Sequence, residues 1–430
     1  MNNSPTKAIP VWLSNTSKAS HMGSVYRILA EREVKRQRAR HASIADESTQ
    51  DTKTQESRRF HSLGISRPRR PSDNNHYSIA VAHDVANRHR NRYSDIEPYD
   101  RTRVTASVAE GEGKKDGVGD NSTYLNASWI LERFGHKWWI ATQAPLPNTS
   151  HTFLSLFLQP ILCPPPSLHK SPLTKPQISQ LRTIVQLTQN FESGRRKASA
   201  YFPKVVGKSK LLLSDDRHST SGLKTTLLQS RTIPSSHCVH STVSVVLVTL
   251  SPRTRPSHDS DSSQVSSDDY GDDECEWGKE NGNPVIFQHF LYTAWPDHGV
   301  PDEDDEQSLL PFIKLVDSAN RDLTHASRQG NIEPDPDPPI VVGCSAGVGR
   351  TGTFIALSSL LRKYGHLPPA ESPSPDSDLP TSPLGPLPRS LREDLVALEV
   401  DSLREQRPGM VQRDEQLRLI YEMLTAALKM

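Results

Sequence analysis

The sequence predicts an α/β or α+β layered fold, in which helices cover a β-sheet. Three runs have the length and the β-branched or aromatic composition of strands: "WWIATQAP" (138–145), "TIVQLT" (183–188) and "STVSVVLVTL" (241–250). Two segments, "FIALSSLLRKY" (354–364) and "LREDLVALEVDSLREQ" (391–406), repeat apolar residues every three or four positions, as helices do. The 430 residues are enough for one large domain, but only 34% are hydrophobic and 34 are proline. We therefore expect one folded domain that carries disordered insertions.

The first 74 residues are basic, rich in Ser and Arg, and expected to be mostly disordered. Residues 1–70 contain 14 Lys and Arg against 6 Asp and Glu. Within them, "VYRILAEREVKRQRARH" predicts a short basic helix, whose Val25, Ile28 and Leu29 form an apolar side too narrow to bury alone. The folded domain is placed from residue 75 to residue 430. It starts with a predicted helix over 77–86 and a basic loop that ends at Tyr93.

Low-complexity insertions are expected inside this domain. Pro and Ser dominate residues 251–282 and 365–390, and a weaker interruption is predicted at 208–222. Residues 256–277 carry eight acidic side chains and no basic one, so this part of the first insertion is strongly anionic.

Cysteine usage and charge indicate the compartment. The four cysteines lack the spacing of a disulfide framework, the chain begins without a hydrophobic leader, and the formal net charge is +1. No apolar run approaches the ~20 residues of a membrane-spanning helix. We expect a soluble cytoplasmic protein with no membrane partner, and the basic segments "RQRAR" and "RPRRP" add nuclear import as an alternative. Nucleic acid is not an expected partner, whereas both tails are candidates for binding regulatory partners.

The segment "VVGCSAGVGRTGTF" (341–354) carries the strongest chemical pattern. It predicts a buried strand, a glycine-rich turn and then a helix, so that backbone N–H groups and the helix N-terminus converge on one anion site. In this field the thiolate of Cys344 is stabilised, which makes it a nucleophile at neutral pH. The planar guanidinium of Arg350 can bind two phosphate oxygens at once. Thr351, one residue further on, is placed to hydrogen-bond the Cys344 sulfur when it leaves as a thiolate.

The run "CSAGVGRTG", Cys344 to Gly352, resembles the signature loop of the cysteine-based protein tyrosine phosphatases, in their intracellular, non-receptor form. The resemblance implies one phosphatase domain with a twisted mixed sheet flanked by helices. It also implies no cofactor, and hydrolysis of phosphotyrosine in signalling proteins through a cysteinyl-phosphate. One departure is Gly343, because the family usually has histidine there, although a fungal-like member can differ. The loop residues implied to bind the phosphate are Ser345, Ala346, Gly347, Val348, Gly349 and Arg350.

Further segments resemble other parts of the same family. "YTAWPDHGVP" (292–301) implies that Asp297 is the general acid and that Trp295 shapes the hinge of its loop. "QRPGMVQRDEQ" (406–416) implies that Gln412 orients the attacking water with help from Gln416. "RNRYSDIEPYDRTRV" (90–104) implies that Tyr93 recognises phosphotyrosine and that Asp95 binds the peptide main chain. "FESGRRKASAYFP" (191–203) implies that Glu192 supports Arg350 and that Lys197 supports Asp297.

Three other functions remain open at this point. A catalytically silent phosphotyrosine-binding module is favoured only by Gly343, since Cys344, Arg350, Asp297 and Gln412 are all present. A dual-specificity phosphatase would need a shallower pocket than the Tyr93 loop predicts. A sulfurtransferase or an arsenate reductase leaves the acid, the glutamine and the tyrosine unexplained. No metal is expected, because His237, Cys238 and His240 form only a loose cluster.

Overall fold

The computed structural model describes residues 9–15, 18–57, 76–107, 122–165, 168, 177–215, 219–250, 278–297, 299–325, 333–371 and 381–430. The strands are β1 Arg103–Ser107, β2 Ser122–Leu131, β3 Trp138–Gln143, β4 Ile161–Cys163, β5 Gln177–Ser179, β6 Thr183–Gln186, β7 Phe191–Glu192, β8 Arg195–Arg196, β9 Ser209–Leu213, β10 Ser221–Ile233, β11 Cys238–Thr249, β12 Glu280–Tyr292 and β13 Ile340–Cys344. The helices are α1 Val11–Ser14, α2 Ala19–Ser57, α3 Ala80–His83, α4 Val85–Arg88, α5 Ser150–Leu158, α6 Glu303–Glu306, α7 Leu309–Arg321, α8 Gly349–Lys363, α9 Leu395–Gln406 and α10 Asp414–Lys429.

A mixed sheet forms the centre of the molecule. Its strand order is β1-β2-β3-β13-β6-β12-β11-β10-β9, with parallel pairing from β3 through β13 and β6 to β12 and antiparallel pairing outside. Strand β13 is apolar over Ile340–Val342 because both of its faces are buried. A turn of four residues, 345–348, joins its carboxyl end to α8, and Cys344 lies at the edge of the central parallel strands. The predicted layered α/β fold is confirmed.

Most of the segments predicted as strands or helices have that secondary structure. The runs at 138–145, 183–188 and 241–250 form β3, β6 and β11, and the two predicted helices form parts of α8 and α9. The helix predicted over 77–86 is instead split into α3 and α4 by Asp84, whose extended backbone ends one helix and whose carboxylate caps the next at Ala86 N, 2.8 Å away. The described helices contain no stretch long and apolar enough to cross a membrane.

The structure differs from the predicted, mostly disordered N-terminal region in residues 9–15 and 18–57, which lie mainly in helices. Helix α2 packs on α9, and the narrow apolar side of Val25, Ile28 and Leu29 joins the main hydrophobic core. Two of its arginines, Arg32 and Arg36, are buried in ion pairs with α9. The folded unit therefore starts well before residue 75. Residues 1–8, 16–17 and 58–75 lie outside the described residues.

The insertion boundaries also change. In the weak interruption at 208–222, Ser209–Leu213 form β9, which pairs with the start of β10, and residues 216–218 lie outside the described residues. Within 365–390, the flanks are packed, since Leu367 and Leu387 are buried and Ser382 Oγ donates to Glu405 Oε1 at 2.8 Å. Strand β12 begins at Glu280, inside the predicted 251–282 insertion. Residues 251–277, with Cys275, and residues 372–380 lie outside the described residues.

A buried carboxyl group joins α8 to α9. Glu399 is fully buried and accepts hydrogen bonds from Ser359 Oγ at 2.7 Å and from Arg133 N at 3.1 Å. Burial raises the pKa of Glu399 to about 8. The folded protein therefore keeps a proton that the unfolded chain loses at about pH 4.3.

Glu399→Gln is expected to flatten the pH dependence of stability. Because the unfolded state binds fewer protons than the folded state between about pH 4.3 and 8, the free energy of unfolding falls with rising pH there. This group contributes up to about 1.4 kcal/mol per pH unit. Urea unfolding across this window measures the slope for both proteins. Equal slopes in the wild type and the variant would contradict the assignment of a protonated Glu399.

Candidate active site

The turn between β13 and α8 directs its backbone N–H groups toward one point. Its carbonyl groups are occupied on the outer side, because Ala144 N donates to Cys344 O at 2.9 Å and to Ser345 O at 3.1 Å. Gly347 has φ +72°, and a Cβ there would lie 2.2 Å from Thr142 O, so only glycine fits. Since N–H and C=O point in opposite directions across a trans peptide, the outward carbonyls leave the amides facing inward.

Arg407 holds the outer side of this turn, and sequence reasoning missed it. Its guanidinium is fully buried and donates to Gly347 O at 2.8 Å and to Ala346 O at 3.1 Å. Burial lowers its pKa to about 10. The signal was present in the quoted run "QRPGMVQ", but partners that are backbone carbonyls leave no pattern in the sequence.

Cys344 lies at the base of the turn and is 6% exposed. Burial alone would raise the pKa of its thiol, but the charge of Arg350 and hydrogen bonding by Thr351 and Val348 outweigh burial and lower the pKa. The Thr351 hydroxyl is itself buried and has no partner of strict hydrogen-bond geometry among the described residues, yet it lies close enough to contribute to this shift. The electrostatics therefore favour a thiolate.

The alkylation rate of Cys344 is expected to rise with pH through a midpoint below the ~8.5 of free cysteine. Iodoacetamide labelling, quantified by mass spectrometry on the peptide that contains Cys344, measures this midpoint. Arg350→Met should raise the midpoint, because it removes the largest favourable contribution to the thiolate. A wild-type midpoint at or above that of free cysteine would contradict the stabilised thiolate.

Arg350 is held in a fixed orientation on the first turn of α8. Glu192 accepts from both of its terminal nitrogens, at 2.8 and 2.9 Å, and Leu187 O accepts from one of them at 2.9 Å. Glu192 is in turn fixed by Thr188 Oγ1 at 2.8 Å. The predicted pairing of Glu192 with Arg350 is present, and the guanidinium is positioned beside the turn of inward-facing amides.

Asp297 lies over the same arginine. Its Oδ1 is 2.6 Å from Lys197 Nζ and 3.9 Å from a terminal nitrogen of Arg350, which also donates to Pro296 O. Trp295 is buried, and its Nε1 donates to Gly299 O at 3.2 Å, which closes the base of the loop that carries Asp297. These contacts place Lys197 beside Asp297, as the family resemblance implied, and Trp295 is buried two residues before Asp297.

Tyr93 borders the site on another side. Its hydroxyl lies 2.8 Å from Ser345 Oγ, which donates to Lys197 O at 3.0 Å, so three separate segments meet at the turn. Tyr93 is half-buried, whereas Asp95 is exposed two residues later. Tyr93 thus borders the turn with an aromatic ring, and an exposed carboxylate follows two residues later.

Gln412 and Gln416 follow the turn after α9. Gln412 is exposed, and its backbone N–H donates to Oε1 of the buried Gln416 at 3.1 Å. The Gln416 amide also lies against Gly349, where a Cβ would approach its Nε2 and Oε1 to 2.9 Å. Both glutamines are thus adjacent to the start of α8.

Comparison with known proteins identifies the family. The sequence model described as protein-tyrosine phosphatase matches residues 87–160 and 178–374, which is more than half of the chain. The chain belongs to this family.

Several tyrosine-protein phosphatases are similar to this member of the family. Tyrosine-protein phosphatase 2 of Schizosaccharomyces pombe is 28% identical over 346 residues, covering 80% of this chain and 35% of the relative. Tyrosine-protein phosphatase non-receptor type 2 of Rattus norvegicus is 28% identical over 294 residues, covering 67% of this chain and 50% of the relative. Receptor-type tyrosine-protein phosphatase eta of Homo sapiens is 28% identical over 299 residues, covering 70% and 15%. The chain spans half or less of the length of these relatives.

The departure from the usual phosphatase signature, Gly343, has a structural reason. A Cβ at this position would lie 2.6 Å from Thr142 O on the neighbouring strand β3. The Gly343 carbonyl accepts from Leu187 N at 2.8 Å on the other side. The close approach of the neighbouring strand therefore leaves no room for a histidine side chain in this member of the family.

Gly343→Ala is expected to lower the free energy of unfolding by about 1–3 kcal/mol, because the added methyl overpacks β13 against β3. Urea unfolding measures the change. Gly23→Ala is a matched control, since no described residue has an atom within 4 Å of a Cβ there, and alanine inside helix α2 should stabilise the protein by about 0.5–1 kcal/mol. Wild-type stability of Gly343→Ala would contradict the close packing.

The loose cluster around Cys238 belongs to the core and its edge. Burial raises the pKa of Cys238 to about 12, His237 Nδ1 lies 3.1 Å from Asp305 Oδ1, and His240 stacks on Phe290 with ring centroids 4.3 Å apart. Across the part of the chain that the structure describes, no three His, Cys, Asp or Glu side chains are grouped for a metal ion.

Proposed function

We propose that this chain is a protein-tyrosine-phosphatase that hydrolyses phosphotyrosine in proteins through a cysteinyl-phosphate, in signal transduction by dephosphorylation. One observation carries the proposal: a cysteine with a lowered pKa lies below a guanidinium that is fixed by Glu192 and lies 3.9 Å from Asp297. A nucleophile, an anion clamp and a proton donor are the three groups that displacement at a phosphate ester needs.

In the first half-reaction, the Cys344 sulfur attacks phosphorus and the bond from phosphorus to the phenolic oxygen breaks. The protonated Asp297 donates its proton to that oxygen, so tyrosine leaves as a neutral phenol. Arg350 and the inward amides of residues 345–350 bind the phosphate oxygens, whose charge they stabilise in the transition state. Glu192 acts as a positioning residue, because it holds the guanidinium in place.

In the second half-reaction, a water oxygen attacks phosphorus and the phosphorus–sulfur bond breaks. The Asp297 carboxylate accepts the proton of the water, and the thiolate of Cys344 departs with Thr351 beside it. Gln412 is the candidate to place the water, and Gln416 holds its backbone. Lys197 holds the Asp297 side chain over Arg350, as the acid in the first step and as the carboxylate in the second.

Substrate choice is proposed to depend on the Tyr93 loop. The aromatic ring of Tyr93, beside Ser345, favours a substrate with a flat phenyl group. Because Cys344 is only 6% exposed at the base of the site, the substrate side chain must also be long enough to bring its phosphate to the thiol. The exposed carboxylate of Asp95 is proposed to accept hydrogen bonds from the main chain of a bound peptide.

Release of inorganic phosphate from matched peptides tests the proposal. A phosphotyrosyl peptide should be hydrolysed, and its phosphoseryl and phosphothreonyl counterparts should be cleaved at least about 100-fold more slowly, because their shorter side chains do not reach Cys344. Binding of the phosphotyrosyl peptide without hydrolysis would indicate a silent binding module instead. Equal rates on all three peptides would indicate a dual-specificity enzyme.

The compartment and the partners of the tails are also proposals. We propose a cytoplasmic location, where a reducing environment keeps Cys344 as a thiol, with nuclear import through the basic segments as the alternative. Regulatory proteins, and not nucleic acid, are the proposed partners of the tails.

A further inference from the structure

A buried hydrogen-bond network connects the N-terminal helix α2 to residues 407–413, which we call the glutamine turn. Arg404 of α9 is at its centre and is 8% exposed. It donates to Met410 O at 2.9 Å and to Val411 O at 2.7 Å in the glutamine turn. Its third hydrogen bond, at 3.1 Å, goes to Leu29 O in α2. One side chain therefore joins the N-terminal helix to the residue before Gln412.

The glutamine turn needs external support because of Val411. This β-branched residue has φ +54°, in the left-handed region that such residues rarely adopt. A strained conformation of this kind persists only where the surroundings hold it. Here the Val411 N–H donates to Val348 O at 3.2 Å, and the Val411 carbonyl accepts from Arg404. The direction in which Gln412 leaves the turn thus depends on Arg404.

Helix α2 is fixed to the same helix that carries Arg404. Arg32 donates to both oxygens of Asp401, at 2.8 and 2.9 Å, and the fully buried Arg36 donates to Glu405 at 2.8 Å. Since Asp401 and Glu405 flank Arg404 on α9, the ion pairs set where the Leu29 carbonyl lies relative to Arg404. By contrast, Arg27 pairs with Glu31 on the exposed side of α2.

We propose that Arg404 is a positioning residue for the attack of water on the cysteinyl-phosphate, and that the docking of α2 on α9 controls it. With α2 docked, Arg404 holds Val411, and Gln412 points its amide at the water. With α2 displaced, Arg404 loses one of its three carbonyl partners and the glutamine turn relaxes. Attack of water on phosphorus, with departure of the Cys344 thiolate and transfer of the proton to Asp297, then slows. Formation of the cysteinyl-phosphate, which does not use Gln412, stays fast.

This inference rests on the proposed function, and rapid-quench kinetics with the full chain and p-nitrophenyl phosphate separate the two. The cysteinyl-phosphate is followed as it forms and decays in the wild type, Arg404→Lys and Arg32→Gln. Both variants should form it within about twofold of the wild-type rate and lose it about tenfold more slowly, as expected for a misplaced group. Consequently kcat should fall while kcat/KM is kept. Arg27→Gln, on the exposed side of α2, should match the wild type in both steps.

The outcomes are distinct. Equal decay rates in Arg404→Lys, Arg32→Gln and the wild type would overturn the inference and leave the proposed function intact. So would equal slowing of formation and decay, which indicates general loss of structure. Should Arg32→Gln fail to fold, Arg32→Lys keeps the charge and is required to show the same selective slowing. Absence of any phosphoenzyme in the wild type would instead contradict the proposed function.

Discussion

Cys344→Ser is expected to reduce phosphotyrosine hydrolysis by on the order of 10⁴-fold or more, as found when a catalytic nucleophile is removed. A serine hydroxyl keeps its proton in the field that lowers the pKa of the cysteine, so no anionic nucleophile forms. Phosphate release from a phosphotyrosyl peptide measures the loss. Binding of the same peptide should persist, because Arg350 and the backbone amides of the turn are unchanged.

A matched control for this variant is available in the core. Cys238→Ser makes the same change at a buried cysteine of β11, which takes no part in the proposed chemistry. It should lower the melting temperature but keep the turnover of the folded protein. Substantial hydrolysis by Cys344→Ser, or equal loss in Cys238→Ser, would contradict the assignment of Cys344 as nucleophile.

Asp297→Ala is expected to lower kcat by about 10²–10⁴-fold while the phosphotyrosyl peptide remains bound, since general acid catalysis acts in the transition state. Steady-state kinetics and calorimetric binding test the two halves of this expectation. Asp302→Ala is the matched control, because Asp302 is an exposed acid five positions later whose side chain makes no capping bond to α6. Normal turnover by Asp297→Ala would show that another group supplies the proton.

The parts of the site that the sequence predicts well are those in which spacing is local. Cys344, Arg350 and Thr351 occur within one strand, turn and helix, so their common position follows from the chain itself. The pairing of Glu192 with Arg350 crosses 158 positions and was predicted only through resemblance to the family. Its presence in the structure reflects the adjacency of β6 and β13, which local pattern does not reveal.

The N-terminal helix was misjudged for a related reason. Arg32 and Arg36 look like solvated charges in a basic, serine-rich segment, but their carboxylate partner Asp401 lies 369 and 365 positions away. Charges that pair across such a distance cannot be distinguished from surface charges by composition. Arg404 and Arg407 were overlooked because each donates to backbone carbonyls, which leave no pattern in the sequence.

The central claim is that the Cys344 sulfur carries the phosphoryl group during turnover. Acid quenching of the wild-type protein during hydrolysis of a phosphotyrosyl peptide, followed by mass spectrometry of its fragments, tests this directly. We predict one phosphoryl group, on the fragment containing Cys344, and none in Cys344→Ser. The account would be contradicted if hydrolysis proceeded with the phosphoryl group on another residue. It would also be contradicted if no covalent intermediate were found under conditions that preserve cysteinyl-phosphate.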